Sequence, residues 1–155
     1  MTSSDKVKVY GEKFAMTVER AAKTADTHSV IIEIAKIKIY QGGRKEFNWN
    51  EKMQVLLSEP ELNLFAGLLL GYLPAIKFDR PHDKKWIEFI RQKQTDQRSG
   101  GIFVKGFSGE LHTLPITPGA VSEISQLCLG QLERRGFCSP ELIVASIRGG
   151  CALLA

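Results

Sequence analysis

Strict alternation of apolar and polar residues opens the chain and predicts a hairpin of two β-strands. In the first strand, Lys6–Tyr10, Val7 and Val9 share one side while the two lysines and the tyrosine share the other. Gly11 allows a turn, and the second strand, Lys13–Arg20, alternates in the same way. The pattern therefore predicts a hairpin with one apolar face.

A third and a fourth strand are predicted to follow. β-Branched residues dominate Ser29–Tyr40 and favour a strand there. The glycine pair at 42–43 predicts a tight hairpin turn into a returning strand, Arg44–Leu57. Because asparagine is a poor residue inside a strand, we expect this strand to bend at Trp49 and Asn50.

Ser58 predicts the start of the first long helix. Its hydroxyl is suited to an N-cap, and Glu61, three residues on, completes a capping box. Pro60 is tolerated in the first turn. Large side chains then recur at helical spacing and predict a buried face, formed by Leu62, Phe65, Leu69 and Tyr72.

The second half of the chain repeats this plan. Further strands are predicted at Ala75–Arg80, Lys85–Lys93, Gly101–Phe107 and Gly109–Ile116. Thr117 is suited to cap a second long helix that ends before Gly136. Because strands come in groups rather than alternating with helices, the predicted class is α+β, with two four-stranded antiparallel sheets each followed by a helix.

The chain of 155 residues is long enough for one buried core. We expect residues 1–136 to form one domain. Residues 137–155 are expected to form a C-terminal tail with a short helix at Pro140–Ile147. Because the tail ends in apolar residues, we expect it to pack on the body or on a neighbouring subunit.

Composition narrows the functional classes. The apolar fraction is 43%, but no apolar run is long enough to span a membrane, so no membrane partner is expected. The N-terminus resembles neither a secretory signal nor a transit peptide, which favours the cytosol. The net charge of +4 permits an anionic partner without requiring one.

The sequence carries no motif for catalysis or metal binding. The phosphate-binding, nucleophile-elbow and zinc-protease motifs are missing, and His28, His82 and His112 are scattered. The three cysteines form no CxxC pair, which argues against a zinc site or a disulfide framework. Cys128 is expected to be a small core residue. We therefore expect neither an enzyme nor a cofactor.

The remaining signal is a set of basic and aromatic residues along the strands. Single-strand binding needs cations for the backbone and rings on which bases stack. By this criterion the candidate binding residues are Lys6, Lys8, Tyr10, Lys13, Lys36, Lys38, Tyr40, Arg44, Lys45, Phe47, Trp49, Lys52, Lys85, Phe89 and Arg91. Tyr10, Tyr40 and Phe47 are the better candidates for exposed rings, and Phe89 follows because Ile87 shares its face.

The alternative interpretation of these lysines is a solvated outer face. Lys6–Tyr10 and Lys36–Tyr40 both place two lysines and a tyrosine on one side of a strand. Such lysines also discourage edge-to-edge aggregation of sheets. The pattern alone leaves both interpretations open.

Short motifs in matching order resemble the Whirly family of plant single-stranded DNA-binding proteins. Val9–Glu19 is similar to the family's IYKGKAALTVE, and Phe47–Lys52 to its YDWSRK. The remaining similarities are Ser58–Leu62 to SVTEI, Phe78–Pro81 to FFHDP, and Leu114–Thr117 to IPVT. The resemblance covers about Val7 to Gly136.

The resemblance implies the Whirly fold, shared in outline with the positive-cofactor-four coactivators. It implies a homotetramer whose helices, here Ser58–Gly71 and Thr117–Arg135, pair at the centre. It also implies that single-stranded DNA lies along the sheets and between subunits with little sequence preference. The family pattern favours a structural hinge at Trp49.

The sequence also departs from the family pattern. Gly11 stands where the family's KGKAAL box begins with a basic residue, and Asn50 replaces the serine of YDWS. No plant transit peptide or acidic aromatic tail is recognisable, which suggests a bacterial or mobile-element relative associated with the nucleoid. The expected role is DNA protection, repair, recombination or transfer. The alternatives are an RNA-binding or annealing factor, a transcription cofactor, and a protein-interaction module.

Overall fold

The computed structural model describes residues 5–21, 28–96 and 100–154. The first half contains β1 (Lys6–Tyr10), β2 (Phe14–Ala21), β3 (Ser29–Ile39), β4 (Lys45–Phe47), β5 (Met53–Leu56) and α1 (Glu59–Leu70). The second half contains β6 (Ala75–Arg80), β7 (Lys85–Gln92), β8 (Gly101–Ser108), β9 (Leu111–Ile116), α2 (Pro118–Arg134) and α3 (Pro140–Ala152). Residues 1–4, at the start of the predicted domain, lie outside the described residues, as does residue 155, at the end of the predicted tail.

The strands form two antiparallel sheets, which confirms the predicted α+β class. Sheet one has the order β1-β2-β3-β4, and β5 also pairs with β3. Sheet two has the order β6-β7-β8-β9. The predicted fourth strand is divided into β4 and β5 because Trp49–Glu51 forms a 3-10 turn between them. The bend expected at Trp49 and Asn50 is therefore present.

The capping box predicted for α1 is formed. The Ser58 hydroxyl accepts a hydrogen bond from the Glu61 amide at 3.2 Å, and the Glu61 carboxylate accepts one from the Ser58 amide at 2.9 Å. Gly71 ends the helix in the left-handed region, with φ 95°, which glycine adopts at little cost. At the start of α2, the Thr117 hydroxyl accepts a hydrogen bond from the amide of Ala120 and so caps the helix.

The C-terminal helix α3 packs against α1. It is longer than the predicted Pro140–Ile147 and buries Ile143, Ile147 and Cys151. A Cβ atom at Gly67 of α1 would lie only 2.2 Å from the Cys151 sulfur. The glycine therefore permits the close approach of the two helices.

The core lies between the sheets and the helices. Phe65 of α1 packs against Phe78 and Phe89 of sheet two, with ring centroids 6.3 and 4.7 Å away. Phe89 is completely buried in this cluster. The prediction that Phe89 offers an exposed ring is therefore wrong, because β7 turns its odd-numbered residues Ile87 and Phe89 inward.

Candidate nucleic-acid interface

The outer face of sheet one carries exposed basic and aromatic residues. Directly paired residues of neighbouring strands project to the same side of a sheet. The register pairs Tyr10 with Ala15, Ala15 with Ala35, and Ile37 with Phe47. We call this side the platform face; its residues include Lys6, Lys8, Tyr10, Lys13, Glu33, Lys45, Phe47, Lys52 and Gln54.

Two aromatic rings stand together on the platform face. The Tyr10 and Phe47 centroids are 5.8 Å apart at an interplanar angle of 37°. Tyr10 is 63% exposed and Phe47 is half-buried. The strands between them contribute only the small, buried side chains of Ala15 and Ala35, so the two rings come together over these alanines. An exposed ring of this kind offers a flat surface on which a base can stack.

Lysines share the platform face with this ring pair. Lys6 contacts Glu19 at 3.5 Å, and Lys52 contacts Glu33 at 2.8 Å. Within the described part of the chain, three lysines of the face form no ion pair, namely Lys8, Lys13 and Lys45. Their ammonium groups are available to phosphates, for which lysine acts as a point charge.

The second lysine-tyrosine pattern lies on the opposite side of sheet one. Lys36 pairs across the sheet with Phe14 and so projects to the side opposite the platform face, where it is exposed and its Nζ lies 3.0 Å from the Glu110 carboxylate. This hydrogen bond lowers the pKa of Glu110. Lys38 and Tyr40 project to the same side as Lys36. The two patterns therefore do not form one continuous cationic face.

The tip of the β3–β4 hairpin carries its own cation cluster. Lys38 lies 5.2 Å and Arg44 4.5 Å from the centroid of the Tyr40 ring. Both cations therefore sit over the ring, and Tyr40 is half-buried. Cations at the ring faces occupy the surface that a stacking base would need.

The candidates on β7 have structural partners. Lys85 donates a hydrogen bond to the carbonyl oxygen of Gln54 in sheet one. Arg91 donates to the carbonyl oxygens of Leu68 and Leu69 at 2.9 and 3.2 Å, at the end of α1. These side chains join elements of the fold. Trp49, the remaining candidate, is half-buried and begins the 3-10 turn.

Sheet two has an aromatic pair that the sequence-based site omitted. Trp86 and Phe107 pair across β7 and β8 and stack at 6.1 Å with an interplanar angle of 12°. The Lys77 ammonium lies 4.4 Å from the Trp86 centroid. The alternation in β8 could have revealed this face, because Ile102, Val104 and Gly106 share the other side.

A groove of about 730 Å³ lies between the platform face and the edge of sheet two. Its lining combines the cations of Lys13, Lys36 and Lys45 and the carboxylate of Glu12 with apolar side chains that include Ile37, Ile39 and Leu111. Ile39 and Leu111 are exposed here. The groove therefore offers apolar contact beside cations, which suits a chain of alternating bases and phosphates.

His112 and Cys128, two residue types with possible chemical roles, are both buried. His112 is buried beside Phe14, with ring centroids 5.0 Å apart, and its Nδ1 lies 2.9 Å from the Glu110 carbonyl oxygen. Cys128 is buried, as expected, and burial raises the pKa of its thiol. The described residues contain no group of three or more potential metal ligands. Nor do they contain a helix of the length and apolarity needed to cross a membrane.

The two antiparallel sheets, each followed by a long helix, define the Whirly-like fold. The chain is similar to WHY3 from Arabidopsis thaliana, with a TM-score of 0.59 and 15% identity over 95% of this chain and 96% of that one. It is also similar to WHY1 from the same plant, with a TM-score of 0.53 and 16% identity over 79% and 85% of the two chains.

The likeness extends beyond plants. Trypanosoma brucei MRP1/MRP2 matches with a TM-score of 0.61 and 10% identity over 85% of this chain and 84% of that one. No protein-family model matches the sequence, and no curated protein matches it. At these identities the comparisons establish a shared fold.

Proposed function

We propose that the protein is a non-catalytic, largely sequence-independent single-stranded DNA-binding protein of the cytosol. The pairing of the exposed Tyr10 ring with the half-buried Phe47 ring, 5.8 Å apart, is the observation that carries the proposal. Base stacking on an aromatic ring contributes about 1–3 kcal/mol per base. Two rings beside lysines without ion pairs therefore suit a flexible strand whose bases are accessible.

The platform face is better suited to a single strand than to a duplex. In a duplex, each base is stacked between its neighbours and cannot pack on a protein ring without being unstacked. A single strand instead exposes base faces and follows a groove with its phosphates. The resemblance of the sequence to Whirly proteins supports the same role, in DNA protection, repair, recombination or transfer.

The direct test is a fluorescence titration with labelled oligo-dT, with a duplex of equal length as the control. We expect binding to oligo-dT and much weaker binding to the duplex. Competition with an RNA strand of matched sequence then separates DNA binding from an RNA-annealing role. Equal affinity for duplex and single strand would contradict the stacking role of Tyr10 and Phe47.

The proposed assembly is a homotetramer formed through α1 and α2. These helices have half-buried apolar side chains on their surfaces, among them Leu64, Val121 and Leu129. The Whirly resemblance supports pairing of the same helices. Light scattering coupled to size-exclusion chromatography gives the mass directly, and a monomer would contradict this assembly.

A transcriptional role is the second candidate. The structure of the plant transcriptional regulator PBF-2 is similar to this chain, with a TM-score of 0.54 and 15% identity over 85% of this chain and 82% of that one. Comparison of transcript levels with and without the protein would separate this role from DNA protection, which predicts unchanged transcript levels.

A further inference from the structure

A nearly buried carboxylate, that of Glu33, lies on the platform face among its lysines. Glu33 is only 8% exposed. Its Oε2 accepts hydrogen bonds from Gln54 at 2.9 Å and from Lys52 at 2.8 Å, and its Oε1 accepts one from Thr17 at 3.4 Å. The carboxylate is therefore held in place on the surface proposed to bind nucleic acid.

This cluster retains the capacity to accept a further hydrogen bond. A carboxylate presents about four lone-pair positions, and the three donors leave roughly one unused, on Oε1. Gln54 is exposed and donates its amide nitrogen to Glu33, so its amide oxygen is a second acceptor. Within the described residues, no hydrogen bond to that amide oxygen is present.

The register places these acceptors beside the exposed rings. Glu33 pairs with Thr17 on one side and with Gln54 on the other. The next row along the platform face contains Tyr10 with the small residues Ala15 and Ala35. Successive rows on one face are about 7 Å apart, since each strand residue advances about 3.3 Å. Glu33 also lies two strands across the sheet from Tyr10, but the Tyr10 ring reaches over those strands to within 5.8 Å of the Phe47 ring. A base stacked on that ring therefore brings its edge within reach of the Glu33 row.

We propose that Glu33, assisted by Gln54, reads the exocyclic amino group of the base that stacks on Tyr10. This inference rests on the proposed single-strand binding and adds a base preference to it. Carboxylates accept hydrogen bonds from the N4 amino group of cytosine. Thymine and uracil carry a carbonyl oxygen at that position. This oxygen cannot donate a hydrogen bond to the carboxylate. The platform thus favours bases that carry an amino group.

Oligo-dC and oligo-dU of equal length provide the test, because cytosine carries an amino group at position 4 and uracil an oxygen. The titrations are performed at alkaline pH, where cytosine stays unprotonated. We expect the wild-type protein to bind oligo-dC roughly tenfold more tightly, the gain typical of a hydrogen bond to a charged group. Equal affinities would overturn the inference.

Two variants separate base reading from simple charge effects. In Glu33→Gln the amide donates as well as accepts, so we expect the dC/dU ratio to fall towards one while both affinities rise. Glu19→Gln is the matched control, because Glu19 is a carboxylate of the same face that pairs with Lys6 at its edge. It should raise both affinities and preserve the ratio. Circular dichroism checks that both variants fold.

The outcomes distinguish this inference from the proposed function. A preference for oligo-dC that survives Glu33→Gln would overturn the role of Glu33, which would then only anchor Lys52. Binding of both oligonucleotides with equal affinity by the wild-type protein would leave single-strand binding intact and remove the base preference. If the wild-type protein bound neither oligonucleotide, the proposed function itself would fail.

Discussion

Exposure of an aromatic ring is set by its neighbours across the sheet. Tyr10 keeps 63% of its surface exposed and its ring meets that of Phe47 because only the small Ala15 and Ala35 lie between them on the platform face. Tyr40, by contrast, is enclosed by Lys38 and Arg44. Residues of the same type in similar local patterns therefore have different capacities to stack a base.

The first prediction concerns Tyr10. Its replacement by alanine should weaken oligo-dT binding roughly tenfold, because a stacked base contributes about 1–3 kcal/mol. The fold should persist, since the ring is 63% exposed. Phe137→Ala is the control because this ring is 84% exposed and lies outside the sheets. Fluorescence titration measures both, and equal losses in the two variants would contradict a specific stacking role.

At the scale of single residues, the sequence predicted the helix caps but not the buried side of β7. The caps at Ser58 and Thr117 follow from local residue chemistry, and both form. The buried side of β7 was not predictable from its own residues, because neither of its faces is purely apolar. Pairing with β8 decides it, since Trp86 lies opposite Phe107 and Phe89 lies opposite Val104.

At the scale of elements, an ion pair joins α1 to sheet two. Both carboxylate oxygens of Glu61 accept hydrogen bonds from Arg80, at 2.6 and 2.9 Å, while Arg80 also donates to the Leu56 carbonyl oxygen. Burial alone would raise the pKa of Glu61, but the hydrogen bonds from Arg80 and Ser58 lower it below its ordinary value. The charged carboxylate thus links the helix cap to β6.

The second prediction is that this link stabilises the fold above the ordinary pKa of glutamate. Because the folded-state pKa is lowered, the contribution is present above about pH 4.5 and is lost as the pH falls through the folded value. Glu61→Gln should lower the free energy of unfolding by roughly 1 kcal/mol at neutral pH. The difference from the wild-type protein should shrink under acidic conditions.

Urea denaturation at a series of pH values measures this difference. Glu123→Gln is the control, because this exposed glutamate lies on α2 away from the Arg80 link. The control should match the wild-type protein throughout. If the difference in the free energy of unfolding between Glu61→Gln and the wild-type protein stayed constant into strong acid, the ionised Glu61 carboxylate would not be its source.

The third prediction concerns the contact between α1 and α3. In Gly67→Ala the new Cβ would lie 2.2 Å from the Cys151 sulfur and 3.2 Å from Ile147 Cγ2. We expect a loss of about 1–3 kcal/mol in the free energy of unfolding, typical of overpacking. Cys151→Ala removes the sulfur, so the double variant should be less destabilised than the sum of the two single variants.

Denaturant unfolding of both single variants and the double variant completes this cycle. Additive effects would mean that α3 does not pack on α1 as described. Sequence patterns predicted a helix in this region but ended it at Ile147. Gly149 and Gly150 are poor helix formers, and the helix continues through them to Ala152. Burial of Cys151 against α1 is a tertiary effect that local patterns do not contain.

At the scale of the whole molecule, the order of strands and helices was predictable because each begins with a local signal. The way in which the two sheets pack against each other was not predictable from the sequence. It depends on contacts such as Gly106, where an added Cβ would lie 2.8 Å from the Met53 sulfur of sheet one. The groove between the platform face and sheet two arises from this packing. The homotetramer and the division of the chain at residue 136 stay predictions.

The central claim is that a single strand is held by its phosphates and its bases together. Titration of oligo-dT at several salt concentrations tests both components, for the wild-type protein and for a Lys13→Ala, Lys45→Ala double variant. The logarithm of the binding constant should fall linearly with the logarithm of the salt concentration, by about 0.7 per neutralised phosphate. The double variant should have a shallower slope by roughly one to one and a half. No binding at low salt, or an affinity indifferent to salt, would contradict the claim.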